Sequence, residues 1–177
     1  MGSHDLPGTW QVAGERTWLT GWLGPPTPWG RRARAAGSVT AWRCFRADSG
    51  RWAWVQVTPM TSERDARRAL GDVGGRMLAN PRAEVRVLSE HDVELAPFAG
   101  ASAVWAREQR TRPVAKRGDD GVSLLLAAAV GPDVTVLALS GTPAWDWGSA
   151  SDLAARQAAR LAGSGPAQPS GELSPTS

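Results

Sequence analysis

The side chains that most readily do chemistry near neutral pH are scarce in this chain: two histidines, His4 and His91, one cysteine, Cys44, and one lysine, Lys116. With a single thiol an intrachain disulfide is impossible, and a cysteine-rich zinc site is excluded. His91 stands in Ser89-Glu90-His91-Asp92-Val93-Glu94, where strand alternation puts it on the face of Val87 and Val93, with Glu90, Asp92 and Glu94 opposite. No second zinc ligand lies at a usable spacing, so His91 reads as a strand residue near solvent. A Cys44–His91 nucleophile pair would need thiol and imidazole within hydrogen-bond reach, and nothing in the sequence brings them together. Cys44 among indoles reads as a small buried hydrophobe. Ser123 and Ser140 lie in or beside apolar runs without a nucleophile elbow. Asp119 and Asp120 fall in the turn Lys116-Arg117-Gly118-Asp119-Asp120-Gly121, whose Arg-Gly-Asp tripeptide is expected by chance in a chain rich in arginine and glycine. Neither a phosphate-cradling loop nor a dinucleotide glycine pattern occurs. No catalytic residue, metal or cofactor is expected.

Aromatic chemistry is the exception. Ten tryptophans and no tyrosine occur among 177 residues. An indole fills a core, lines a pocket, or stacks on a ring. Trp10, Trp18, Trp22 and Trp29 fall early, Trp42, Trp52 and Trp54 follow, and Trp105, Trp145 and Trp147 come later. The candidate ligand-binding residues are Trp42, Trp52, Trp54, Trp105, Trp145 and Trp147. Trp145-Asp146-Trp147 has two readings: a clamp for a polyol or cation, or a core-edge plug at a helix start.

The formal net charge is +3 and the sequence pI about 10.3. Because nearly all cations are arginine and there is no tyrosine, little titrates between histidine and arginine, and the high pI is a titration gap more than a strong field. The basic cluster Arg31, Arg32, Arg34 is too small to imply nucleic acid. No window approaches the roughly 18 apolar residues of a spanning helix, and Met1 to Trp10 lacks the layout of a secretory signal. Met1-Gly2-Ser3-His4 reads as a cloning remnant, so an exported origin with a removed leader and a cytoplasmic one both stay open.

Three segments are expected: a Trp/Gly/Pro-rich stretch, residues 1–37, with little regular structure beyond a short strand near Thr9 to Val12; an α+β domain, 38–162; and a tail, 163–177, whose proline, serine and glycine content cannot order it. Strands Val39 to Arg46 and Arg51 to Met60 flank Asp48-Ser49-Gly50, a three-residue hairpin loop that pairs Ala47 with Arg51. Trp42, Cys44, Trp52 and Trp54 then share one face and Val39, Ala41, Phe45, Ala53, Val55 and Val57 the other. Both faces are apolar, so each needs a cover or a ligand. The expected cover of the indole face is the N-terminal segment; an open pocket is the alternative. A helix from Ser62 to Leu78, capped by Thr61 or Ser62, presents Ala66, Ala69, Leu70, Val73 and Met77. Strands follow at 85–95, 101–110, 122–130 and 134–140, the last two central and joined by Gly131-Pro132-Asp133. A helix over Ser151 to Ala162, capped by Ser149 or Ser151, ends the domain. The fold class is α+β, an antiparallel sheet of six or seven strands in the order ββαββββα with two helices packed on it.

Asp5-Leu6-Pro7-Gly8 before Trp10, and Gly131-Pro132-Asp133-Val134-Thr135-Val136-Leu137-Ala138-Leu139-Ser140-Gly141 leading into Leu153-Ala154-Ala155-Arg156-Gln157-Ala158-Ala159-Arg160-Leu161, resemble actinobacterial cell-envelope lipoproteins and related extracellular sensor-type domains. The layout is also similar to the PsbP-like fold. The resemblance implies binding of a ligand or partner outside the membrane. The chain departs from it in lacking a lipobox cysteine and the paired cysteines of kinase sensor domains. Two functions therefore stand: a non-enzymatic binding module of cell-envelope or sensor type, taking a small apolar or ring-shaped ligand or a protein partner through a Trp-lined surface, and a small cyclase or isomerase of specialised metabolism. The second would hold an apolar substrate by shape, with Trp42, Trp52, Trp54, Glu108 and His91 as its residues.

Overall fold

The computed structural model describes residues 1–2, 6, 8–19, 27–76, 85–113 and 120–163. The loop Asp48-Ser49-Gly50 sets the first tight hairpin of the sheet. The Ala47 N–H donates to the Arg51 carbonyl at 3.0 Å, and Gly50 takes the left-handed φ of 88° that the loop requires. This joins β2 (Val39–Ala47) to β3 (Trp52–Pro59) in the expected register, Cys44 opposite Trp54 and Phe45 opposite Ala53. Gly131 and Pro132 likewise turn β6 (Gly121–Val130) into β7 (Asp133–Ser140), with Val130 opposite Asp133. With β1 (Trp10–Leu19), β4 (Val85–Asp92) and β5 (Ala103–Pro113), these form one seven-stranded sheet, order β1-β2-β3-β7-β6-β5-β4. Every pairing is antiparallel. β7 is central and β6 beside it, which is why both are nearly continuous apolar runs.

The N-terminal stretch is more regular than its composition suggests. β1 spans ten residues, where the sequence suggested only a short strand. Most of its side chains are exposed, so it carries no alternating apolar signal, and its extended state comes from pairing with β2. A bulge between Val12 and Gly14 interrupts this edge strand, as edges exposed to other chains commonly are. α1 (Pro28–Ala35) also lies within the stretch. Pro28 and Gly30 read as breakers, yet Pro28 occupies the first helical turn, where its fixed φ helps. The Thr27 hydroxyl accepts from the Gly30 N–H at 3.1 Å.

α2 (Glu63–Arg76) starts where Ser62 Oγ accepts from the Asp65 N–H at 3.1 Å. It lays Ala66, Ala69 and Leu70 on Ala127, Ala129, Val134 and Val136. α3 (Trp147–Gly163) packs on the other face, with Leu153 and Ala154 against Leu124, Leu126, Leu137 and Leu139. It begins four residues before the expected Ser151 because Asp146, not Ser149 or Ser151, is the cap: its Oδ1 accepts from the Ser149 N–H at 2.8 Å. Small side chains on both partners let the helices approach closely; Ala127, Ala128, Ala129, Ala150 and Ala158 are wholly buried. The order is thus βαββαββββα. Met77, Trp22 and the residues from Ser164 onward, on which expectations also fell, lie outside the described residues.

Candidate functional site

Cross-strand pairing decides which indoles meet, since directly opposed residues share a face. One row runs Cys44, Trp54, Ala138, Leu125, Arg107, Asp92. The row beside it runs Arg46, Trp52, Ser140, Ser123, Gln109, Glu90. The row on the other side contains Trp42, Gln56, Val136, Ala127 and Trp105. Trp42, Trp52, Trp54 and Trp105 therefore share the face that α2 covers, and each is half-buried. α2 sits on Ala127, Ala129, Val134 and Val136, with Trp54 and Trp105 at its flanks and Trp29 of α1 packed against the same cluster. The two rows beyond it carry three small side chains, Ser140, Ala138 and Ser123, and the larger Leu125 in the middle, between indoles on β3 and long polar side chains on β5. The three short side chains, flanked by taller ones on β3 and β5, give this part of the face the relief of a shallow trough.

The polar wall is organised by its own bonds. Arg107 Nε donates to Asp92 Oδ1 at 2.5 Å and its terminal nitrogen to Glu90 Oε1 at 3.0 Å. Gln109 Nε2 donates to Glu90 Oε2 at 3.0 Å, and the Arg107 guanidinium stands 5.2 Å from the Trp105 ring centroid. The hydrogen bond from Arg107, with its charge, holds the Asp92 carboxyl below the usual carboxylate range, and the same contact raises the guanidinium pKa. On the opposite side the Arg46 guanidinium lies 5.4 Å from the Trp52 ring centroid.

Trp145 and Trp147 are not part of this face. Trp145 is buried in the core of the α3 side, its ring centroid 5.6 Å from that of Trp10. Arg51 covers it at 4.2 Å while donating to the carbonyls of Pro143 and Ala144 at 2.7 and 2.9 Å. Trp147 Nε1 donates to Glu108 Oε2 at 3.3 Å. The carboxylate between them caps α3, so Trp145-Asp146-Trp147 is a plug at a helix start rather than a clamp. The N-terminal segment is split as well: Trp29 serves the indole face, Trp10 the opposite one, and Trp18 is half-buried on β1.

His91 pairs with Glu108, on the face away from Trp42, Trp52 and Trp54. Sequence alternation put His91 with Val87. A bulge between Val87 and Ser89 shifts the pattern, so His91 shares its face with Val93 but not Val87. The set His91, Glu108, Trp42, Trp52 and Trp54 is thus divided between two faces. Cys44 is buried on β2, five strand positions from β4 and about 24 Å away at ordinary strand spacing, so no Cys44–His91 pair exists. Sequence reasoning missed Arg107, Gln109, Glu90 and Asp92. The signal available was opposite charge at alternate positions of two strands, which means something only once their pairing is known.

Among the described residues, no group of three or more histidine, cysteine, aspartate or glutamate side chains is arranged to hold a metal ion, and no helix is long and apolar enough to cross a membrane. Comparison with protein-family models, with curated proteins and with solved structures finds no match for this chain.

Proposed function

We propose that this protein is a non-enzymatic binding module, of the cell-envelope or sensor type that its sequence resembles, whose tryptophan-lined sheet face takes a ligand. The observation that carries this reading is that Trp42, Trp52, Trp54 and Trp105 share one face, on which the small residues Ser140, Ala138 and Ser123 lie between the β3 indoles and the polar side chains of β5. A face needed only for packing would gain most from large aliphatic side chains at its centre and from full burial of its indoles. Here three of the four side chains between β3 and β5 in these rows are small, Leu125 being the exception, and the indoles keep part of their surface in contact with solvent. The cyclase or isomerase reading has less support, because its polar residues and its indoles lie on opposite faces.

Titration of the protein with lipids, glycans and aromatic metabolites, followed by tryptophan fluorescence and thermal melting, tests the proposal. A ligand present at a hundredfold excess over its Kd raises the melting temperature by about 5–10 °C for a chain of this size, with a saturable change in emission. Absence of response from all three classes overturns it in favour of a structural role.

A further inference from the structure

The two walls of the trough differ in chemistry, and the difference constrains the occupant. On β3, Trp52 and Trp54 present indole surface, two residues apart on one strand. On β5, Gln109 and Arg107 are fixed by Glu90 and Asp92 on β4; the Gln109 residue is 8% exposed and the Arg107 side chain 16%. β7 and β6 lie between, so the walls rise from backbones about 14 Å apart, three strand spacings. Their floor carries the Ser140 and Ser123 hydroxyls, directly opposed in register, beside Ala138 and Leu125.

A wholly apolar ring placed here would strip water from the amide, guanidinium and hydroxyls without replacing its hydrogen bonds, which is costly. An anion would meet an arginine already neutralised by two carboxylates. A pyranose has the matching asymmetry. Its axial C–H bonds form an apolar face that stacks on an indole, and its equatorial hydroxyls both donate and accept, as Gln109, Arg107, Glu90 and the two serines require. Building on the tryptophan-lined reading above, we infer that the occupant is a neutral carbohydrate, with a sugar ring stacked on Trp52 or Trp54 and its hydroxyl edge turned to Gln109 and Arg107. The spacing of the two indoles along β3, about 7 Å, suits successive rings of an oligosaccharide better than a single sugar.

Isothermal titration and intrinsic fluorescence with chitohexaose, cellohexaose, maltohexaose and laminarihexaose, each compared with 1-naphthol, test this on the full chain. The expected result is saturable binding of at least one hexasaccharide, weakened about tenfold or more by Trp52→Ala and by Gln109→Ala, and less by Trp52→Phe, which keeps a ring to stack on. Melting temperature and far-ultraviolet circular dichroism of each variant separate loss of binding from loss of fold. Binding of 1-naphthol that depends on Trp52, with no sugar bound, overturns the carbohydrate inference and leaves the tryptophan-lined reading standing. A sugar that binds equally well to Trp52→Ala and Gln109→Ala overturns the placement. Failure of every hexasaccharide overturns the inference whatever 1-naphthol does, whereas the function on which it rests falls only when lipids give no response either.

Discussion

The Trp42 indole lies directly over Gly14 of the neighbouring strand: a Cβ built at position 14 would stand 3.0 Å from Trp42 Cζ3 and 3.2 Å from Cη2. Glycine on an edge strand ordinarily weakens it by about 0.5–1 kcal/mol relative to alanine. Here it clears the space that lets an indole fold flat across β1. Gly14→Ala is expected to be near neutral, the gain in strand propensity offsetting a shift of the ring by a few tenths of an ångström. Gly14→Ile should cost about 1–3 kcal/mol by overpacking and change the tryptophan emission. Urea denaturation of both variants checks the pair of outcomes; an isoleucine variant as stable as the parent refutes the contact.

Removing residues 1–37 takes away β1, α1, the buried Trp10 and the Arg32–Asp65 ion pair that joins α1 to α2. Loss of one buried tryptophan alone costs about 3–5 kcal/mol, a large part of the 5–15 kcal/mol that holds a typical domain. It also leaves β2 as a bare edge. The truncated chain should therefore aggregate or lose its cooperative transition. A monomeric product by size exclusion, melting at the parent temperature, would mark the segment as an independent arm.

Ala127 has no exposed surface and lies between the sheet and Ala66, Ala69 and Leu70 of α2. Ala127→Leu has nowhere to put three extra carbons, so a loss of about 1–3 kcal/mol or more is expected. Leu139→Ala on the opposite face should cost about 2–5 kcal/mol by leaving a cavity. Chemical denaturation of each variant measures both, and a tolerated leucine at position 127 would mean that α2 stands further from the sheet than described.

Acid should destabilise the fold through its paired aspartates. Asp65 accepts from Arg32 Nε at 3.0 Å and from the Thr61 hydroxyl at 2.7 Å, and those hydrogen bonds, with the Arg32 charge, hold its carboxyl below the ordinary range. Asp92, Asp120 and Asp146 are lowered by Arg107, by Arg112 and by the Ser149 cap bonds. A folded-state value below the unfolded one means stability that is fully present above the unfolded pKa of about 3.9 and lost as pH falls through the folded value. Melting temperature should hold from neutrality to about pH 5 and then fall, and Asp65→Asn, already without its ion pair, should lose less on acidification than the parent. Equal acid losses in parent and variant would refute the assignment.

Asp133 has the opposite sign. Burial alone raises its pKa, so the burden of its charged form sets in as pH rises through the unfolded value and is complete once pH exceeds the folded one. Asp133→Asn at the start of β7 is expected to raise the melting temperature at pH 7 and to leave it nearly unchanged at pH 3. A lowered melting temperature at pH 7 would indicate that the carboxylate has a stabilising role in the β6–β7 turn.

Legibility followed the range of the interactions. The β2–β3 and β6–β7 hairpins were readable because a glycine-bearing loop and apolar alternation are local. β1 and α1 were not, since an edge strand with mostly exposed residues carries no two-faced pattern, and Pro28 and Gly30 look like breakers until Thr27 is seen capping the helix. For the site, the two strands nearest the loop announced that Trp42, Trp52 and Trp54 share a face. Trp105 joined them, and Trp145 and Trp147 parted from them, only through pairings between distant segments.

By itself the sequence determined the α+β class, the register of its hairpins and the scarcity of nucleophilic and metal-binding side chains, because composition, turn chemistry and period-two alternation act over a few residues. Tertiary structure decided the rest. Strand order placed β7 and β6 between β3 and β5 and so set the small side chains of Ser140, Ala138 and Ser123 between indoles and a polar wall. The bulges at Val12/Gly14 and Val87/Ser89 reassigned faces, since one extra residue inverts every side chain beyond it. The Glu90, Asp92, Arg107 and Gln109 network exists only in the register that the consecutive strands β4 and β5 adopt across their bulge.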